Sequence, residues 1–233
     1  MTRTEDTLKH AQEWMQRQVA EQRNTIPSTN RNEEDIMKSL SIYFPAEVYM
    51  NFSETNLKEL LWSELLYDLQ SDHPDIDGST IILWYQKVFD SLVEKYITKA
   101  FRKYINSNWR VLKPLNSPLE KALFQICDKG FILSSGRLYE LLKSYNTKSK
   151  GLYYMYSFYD FLEKNIYIKK SLLESDFLLH LQWLSQKKIL WEKRHLGIVS
   201  KVDTEFARQK YIWALKEKNS LLSILAKLWS VDG

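Results

Sequence analysis

The sequence predicts an all-α protein, a helical bundle with an N-terminal helical extension, and three observations favour this fold class. Gly and Pro are scarce, with 6 and 5 among 233 residues, which is too few for a turn-rich β-sandwich or barrel. Trp, Tyr and Phe are abundant, with 8, 14 and 10 residues, so the chain can build a full core and is not disordered. Apolar residues recur at spacings of three and four in successive segments, which is the helical period.

Composition also limits the cellular setting and the chemistry. The single cysteine, Cys127, excludes an internal disulfide and a cysteine-based metal site. The uncharged runs are far shorter than the about 20 apolar residues of a membrane-spanning helix. We therefore expect a cytoplasmic protein with no membrane partner, no metal and no cofactor.

The N-terminal extension is predicted to be a helix over residues 4–23 followed by a linker. The apolar positions of this helix form a narrow stripe, which is typical of docking on a partner or on the rest of the chain. Trp14 and Met15 are the candidate partner-binding residues of that stripe. The stretch that follows is rich in Asn, Ser, Thr and Pro. We therefore divide the chain into an extension, 1–32, and a helical bundle domain, 33–233.

The first part of the bundle is predicted to hold three helices and an acidic loop. A short helix starts at residue 33 and ends at Phe44-Pro45, and a second short element covers 46–52. Ser53 or Thr55 caps a third helix that runs to about Gln70. The loop after it carries Asp72, His73, Asp75 and Asp77, but it lacks the later glutamate of an EF-hand, so no calcium site is predicted.

The central helix is predicted over 79–105, capped by Ser79 or Thr80, because its apolar stripe is the widest in the chain. Pro118, with Ser117 as cap and Glu120 in the capping-box position, starts a helix that ends before Gly130. Two further helices are predicted, one beginning near Ser135 and one spanning the aromatic-rich 153–165. A third is predicted to run from a Ser171-x-x-Glu174 capping box to about Lys188. The last two are predicted over 204–216, after an Asp203 cap, and from Leu221 to Trp229.

Charge is distributed unevenly along the chain. Residues 1–77 have a net charge of −8 and residues 78–233 a net charge of +12. The densest basic stretch, 78–150, contains the candidate nucleic-acid contacts Arg102, Lys103 and Arg110. A solvated lysine-rich helix surface and an acidic arm folded over a basic body are the alternatives. The aromatic side chains of 153–165 are typical of core packing, with base stacking as the other interpretation.

Sequence motifs of common enzymes are absent, and one histidine stands out. The chain has no glycine-rich phosphate loop and no CxxC, HExxH or GxSxG motif. His195 follows Lys193 and Arg194 in a basic turn that starts near Lys188. An imidazole there could move a proton from a ribose 2′-hydroxyl while the cations hold the phosphate. His195 and Arg194 are the candidate catalytic pair, and Lys188 and Lys193 are candidate phosphate contacts.

Three segments of the chain together carry a family resemblance: His195 with Gly197, Ile198, Val199, Ser200 and Asp203, the central helix with Asp90, and the segment FILSSGRLYELL. These segments resemble the HEPN superfamily (higher eukaryotes and prokaryotes nucleotide-binding domains). The similarity covers about residues 55–230. It implies an all-helical bundle, often dimeric, that either cleaves RNA without metal or serves as an RNA-binding or partner-binding subunit of antiviral-defence and stress systems.

The chain departs from the HEPN motif at the arginine, which should precede the histidine by four to seven residues. Lys188 to Trp191 occupy those positions, and Arg194 is adjacent to His195 instead. A lysine lacks the planar fork that grips a phosphate. We therefore expect a non-catalytic interaction module of a prokaryotic defence or stress complex, for example a CRISPR-associated one, with a protein partner, possible RNA binding and a possible homodimer. A metal-independent endoribonuclease using His195 and a non-cleaving nucleic-acid-binding subunit are the alternatives.

Overall fold

A computed structural model describes residues 31–108, 117–147, 152–174, 176–189, 199–212 and 219–228, and all regular structure in these ranges is helical. The helices are α1 (Glu33–Tyr43), α2 (Ala46–Tyr49), α3 (Glu54–Asp72), α4 (Ser79–Val93), α5 (Lys99–Asn108), α6 (Pro118–Lys129), α7 (Ser135–Asn146), α8 (Tyr153–Lys164), α9 (Ile166–Lys169), α10 (Phe177–Gln186), α11 (Lys201–Tyr211) and α12 (Leu221–Lys227). The all-α prediction is confirmed. None of the helices in the described ranges is long and apolar enough to cross a bilayer.

Helix α4 lies at the centre of the bundle, because it packs against α3, α11 and α12. It continues into α5 through a π-helical turn, Glu94–Thr98, so the predicted central helix is present with one widened turn. Neither Ser79 nor Thr80 is its cap, since both lie inside the helix and Gly78 precedes it. The carboxylate of Asp77 instead accepts the backbone N–H of Ser79, at 3.1 Å.

The acidic loop before α4 forms hydrogen bonds with Val199, which lies far from it in the sequence. The Asp77 carboxylate also accepts the backbone N–H of Val199, at 2.7 Å, and the Gly78 N–H donates to the Val199 carbonyl, at 2.9 Å. A Cβ on Gly78 would lie 1.8 Å from the Thr204 hydroxyl oxygen, so the close approach to α11 requires glycine. The described residues contain no cluster of His, Cys, Asp or Glu suited to a metal ion.

The α6–α8 region follows the predicted boundaries but uses its polar residues differently. Pro118 begins α6, and Gly130 ends it in the left-handed conformation with φ +70°. Ser117 makes no side-chain cap. Glu120, which is fully buried, reaches across to α8 and accepts the backbone N–H groups of Tyr154 and Met155, at 3.1 and 2.8 Å. Because Leu152, the residue before α8, offers no polar side chain, Glu120 supplies the cap from another helix.

Two predicted helix starts in the last third are wrong. Residues Lys170–Glu174 form a π-helical turn, and α10 starts only at Phe177, so no helix begins at Ser171. Ser200 caps α11, because its hydroxyl accepts the backbone N–H of Asp203, at 3.2 Å. Asp203 therefore occupies the third helical position rather than the cap, and α11 begins three residues earlier than predicted.

One hydrophobic cluster joins the helices, with the short α9 packing against its edge through the partly buried Ile168. The aromatic-rich helix α8 contributes Tyr154, Phe158 and Phe161, which are buried and in ring contact with Phe101 or Phe124. Core packing is therefore the correct interpretation of these aromatic residues. The lysines of α5, Lys99 and Lys103, are exposed at the surface.

Candidate nucleic-acid interface

A group of lysines and aromatic rings lies where α10 meets α11, and we call it the cation–aromatic cluster: Trp183, Lys187, Phe206 and Lys210. The ammonium nitrogen of Lys210 lies 3.8 Å from the centroid of the Trp183 ring and 5.4 Å from that of Phe206. The Lys187 ammonium lies 5.7 Å from the Phe206 centroid. Each lysine is therefore within cation–π range of at least one ring.

The helical period places these four side chains together. Trp183 and Lys187 are four residues apart on α10 and its end, and Phe206 and Lys210 are four residues apart on α11. Residues at this spacing share one face of a helix, so each helix presents one ring and one cation to the other. Phe206 packs against the core, whereas the Trp183 side chain is 36% exposed. The cluster therefore has a half-buried phenyl ring at its base and an accessible indole ring.

His180 is buried next to the Trp183 ring of the cluster. Its ring centroid is 6.0 Å from that of Trp183, and its Nε2 donates to the Asn219 carbonyl, at 3.2 Å. Burial, reinforced by the positive charge of Lys210, lowers the pKa of His180. The positive charge of the cluster at neutral pH therefore resides on its lysines.

Lys188, which the sequence predicts as a phosphate contact, adjoins this cluster. It is exposed and follows Lys187 at the end of α10, with φ +59°. Its backbone N–H donates to the Ser185 carbonyl, at 2.8 Å, which closes the helix end. This left-handed residue turns the chain at the edge of the cluster.

Arg102 and Lys103, the other predicted contacts in the described ranges, lie on α5. The Nε of Arg102 donates to the Ile126 carbonyl, at 2.9 Å, and its guanidinium lies against Gly130. Arg102 thus satisfies the C-terminal end of α6, which is a structural role. Lys103 is exposed. Helix α5 is not among the helices that pack closely against α10, and no described contact joins Arg102 or Lys103 to Lys188.

Six of the predicted site residues lie outside the described ranges. They are the candidate catalytic residues His195 and Arg194, the nucleic-acid contacts Lys193 and Arg110, and the partner-binding residues Trp14 and Met15.

A buried ion pair holds α11 in place beside the cluster. Arg208 donates from Nη2 to a Glu64 oxygen at 2.8 Å and from Nε to the other at 3.0 Å, and both side chains are almost fully buried. Burial disfavours the charge of Arg208, but the hydrogen bonds to Glu64 and its negative charge outweigh burial and raise the arginine pKa. The Tyr43 and Tyr67 rings lie 5.3 and 4.5 Å from the guanidinium carbon. The pair is internal, so Arg208 adds no charge to the surface.

Sequence reasoning did not identify Trp183, Phe206 and Lys210 as site residues. The ring and the lysine contributed by each helix are four residues apart in the sequence, but many pairs of helical residues have this spacing. The pairing of α10 with α11 decides that the two sets meet, and a single sequence does not display this pairing.

No protein-family model, no curated protein and no solved structure matches this chain.

Proposed function

We propose that the protein is a non-catalytic helical interaction module that binds single-stranded RNA through the cation–aromatic cluster. The observation that carries the proposal is the position of the Lys210 ammonium, 3.8 Å from the centroid of the partly exposed Trp183 ring. Proteins bind single strands by stacking bases on aromatic rings while neighbouring cations contact the phosphates. Trp183 and Lys210 combine both elements within one contact.

The arrangement favours an unpaired strand over a duplex. Bases in a duplex are stacked on each other, so their faces are not accessible to an indole ring. Lys187 and Lys188 extend the positive charge from Lys210 along the edge of the cluster. RNA rather than DNA follows from the HEPN resemblance, as do the expected protein partner and the assignment to a defence or stress complex.

The test is fluorescence anisotropy of a labelled single-stranded RNA oligonucleotide with the full chain, measured over a range of salt concentrations. Trp183→Ala should weaken binding at least about fivefold, because a stacked base contributes about 1–3 kcal/mol. K187Q/K210Q should reduce the slope of log affinity against log salt by about 0.7 for each phosphate that the variant no longer neutralises. The matched control is K38Q/K58Q, which removes two exposed lysines from α1 and α3.

Three outcomes would overturn the proposal. The first is absence of RNA binding even at low salt. The second is loss of affinity in K38Q/K58Q equal to that in K187Q/K210Q, which would indicate a non-specific effect of net charge. The third is cleavage of the RNA in EDTA by the wild type but not by His195→Ala, which would replace the binding module with a ribonuclease.

A further inference from the structure

A second surface combines lysines with exposed apolar side chains, and we call it the loop-tip surface: Lys95, Lys99, Lys103, Phe131 and Ile132. Phe131 and Ile132 are consecutive residues in the connection from α6 to α7, and they are 47% and 48% exposed. Leu133, the next residue, is 2% exposed and anchors the connection in the core. Two adjacent large apolar side chains are thus held at the surface by a fixed neighbour.

The contacts of this connection place it beside the lysines. The Leu133 N–H donates to the Thr98 hydroxyl, at 3.4 Å, and the guanidinium of Arg102 lies 3.7 Å from the position of a Cβ on Gly130. Lys95, Lys99 and Lys103 follow one another at a spacing of four on the same helical rod. Lys99 and Lys103 directly follow Thr98 and Arg102, so their side chains leave the helix about 100° around its axis from the two that contact the connection. The lysine row therefore flanks the connection that carries the apolar pair.

The face has a positive balance that matches an anionic surface. All three lysines are exposed. Within the described residues, the carboxylate of Glu94 lies 3.9 Å from the Lys99 ammonium, and Asp128 is exposed at the end of α6. The cations outnumber these carboxylates, particularly with Arg102 included.

We infer that the loop-tip surface binds peripherally to anionic phospholipid bilayers. Half-exposed Phe and Ile side chains gain by entering the boundary between headgroups and acyl chains, and adjacent lysines are attracted to the negative surface. An aliphatic side chain exposed as much as its aromatic neighbour favours hydrocarbon over a nucleobase, since stacking would use the phenyl ring alone. The expectation of no membrane partner rested on the absence of spanning segments, which a peripheral contact does not need.

The experiment is cosedimentation of the full chain with vesicles of phosphatidylcholine alone and of phosphatidylcholine with phosphatidylserine. We expect binding to the vesicles with phosphatidylserine and much weaker binding to the neutral ones. K99Q/K103Q should weaken binding about 25-fold, because each lysine near an anionic surface contributes about a factor of five. F131S/I132S should weaken it at least about tenfold, since the apolar side chains lose their insertion.

Matched controls separate this surface from general effects of charge and exposed apolar area. K38Q/K58Q removes the same charge elsewhere, and M50S/V202S removes two side chains that are 80% and 77% exposed. Both should bind vesicles as the wild type does. Circular dichroism of every variant establishes that it is folded.

The inference is overturned if the wild type does not bind phosphatidylserine vesicles, or if the controls lose as much binding as the loop-tip variants. It is also overturned if F131S/I132S and K99Q/K103Q bind vesicles normally but lose RNA affinity, because the surface would then belong to the RNA site. K187Q/K210Q should bind vesicles as the wild type does. Failure of the membrane-binding inference would therefore leave the RNA-binding proposal standing, and failure of the RNA-binding proposal would leave the membrane-binding inference standing.

Discussion

Replacing Arg208 with methionine should destabilise the bundle more than any surface substitution. Arg208 is 5% exposed and Glu64 is 0% exposed, and two guanidinium nitrogens of the arginine contact both carboxylate oxygens. Methionine retains much of the side-chain volume but no positive charge. Arg208→Met therefore leaves the Glu64 carboxylate buried, with the Tyr85 hydroxyl as its remaining side-chain hydrogen-bond donor within the described part of the chain.

The expected loss in the free energy of unfolding is about 3–5 kcal/mol, the usual cost of removing one partner from a buried ion pair. The missing hydrogen bond from Nη2 of Arg208 to the Tyr43 hydroxyl, at 3.1 Å, contributes to it. The total free energy of unfolding of a domain is about 5–15 kcal/mol, so the variant should still fold but with a much smaller free energy of unfolding. The melting temperature should fall by roughly 10 °C, at about 2–4 °C per kcal/mol for a chain of this size.

The assay is urea unfolding followed by far-UV circular dichroism, with a double-mutant cycle. E64L/R208M removes both charges, so it should lose less free energy than Arg208→Met alone. The control is Lys58→Met, which breaks an exposed pair with Glu54 and should change stability by less than about 1 kcal/mol. A loss below about 1 kcal/mol for Arg208→Met, or a double variant that loses the sum of the two single losses, would refute this account of the pair.

Three further predictions concern stability. Glu120→Ala should lower the free energy of unfolding by about 2–3 kcal/mol in urea, because two buried N–H groups of α8 lose a charged acceptor. Gly78→Ala should cost at least about 2 kcal/mol, since the added Cβ would lie 1.8 Å from the Thr204 hydroxyl, and Thr204→Ala should restore part of the loss in the same assay. Burial and the positive charge of Lys210 lower the pKa of His180 in the folded state. The free energy of unfolding should therefore decrease as the pH falls below about 6.5, because the unfolded chain binds the proton at a higher pH than the folded one. Thermal melts at a series of pH values should show a shallower fall for His180→Gln.

Controls for these variants change the same residue types at other positions. Glu140→Ala removes an exposed carboxylate that pairs with Arg137, and it should leave stability nearly unchanged. Gly130→Ala should cost about 1–2 kcal/mol through its φ of +70°, without the steric conflict at Gly78. Equal losses for Glu120→Ala and Glu140→Ala would contradict the cross-helix cap. A pH dependence that His180→Gln leaves unchanged would remove His180 as its source.

Local sequence signals predict the helices well where both ends have a strong local cause. Pro118 and Gly130 bound α6 as expected, because a proline at the first position and a left-handed glycine after the last are properties of the backbone itself. Ser53 caps α3 for a similar local reason. At Asp203 the prediction was wrong because two polar residues three positions apart are both suitable caps, and Ser200 rather than Asp203 precedes α11.

The sequence by itself determined the all-α class, because the apolar spacing, the scarce glycine and the caps act within one or two helical turns. It also favoured core packing for the aromatic residues of α8, which Tyr154, Phe158 and Phe161 confirm. Only the tertiary structure decided that Trp183 meets Lys210, that Glu120 caps α8, and that Glu64 pairs with Arg208 across 144 residues. Such contacts depend on which helix faces pack against each other. Periodicity identifies the apolar face of a helix, but it does not specify which of the other helices that face contacts.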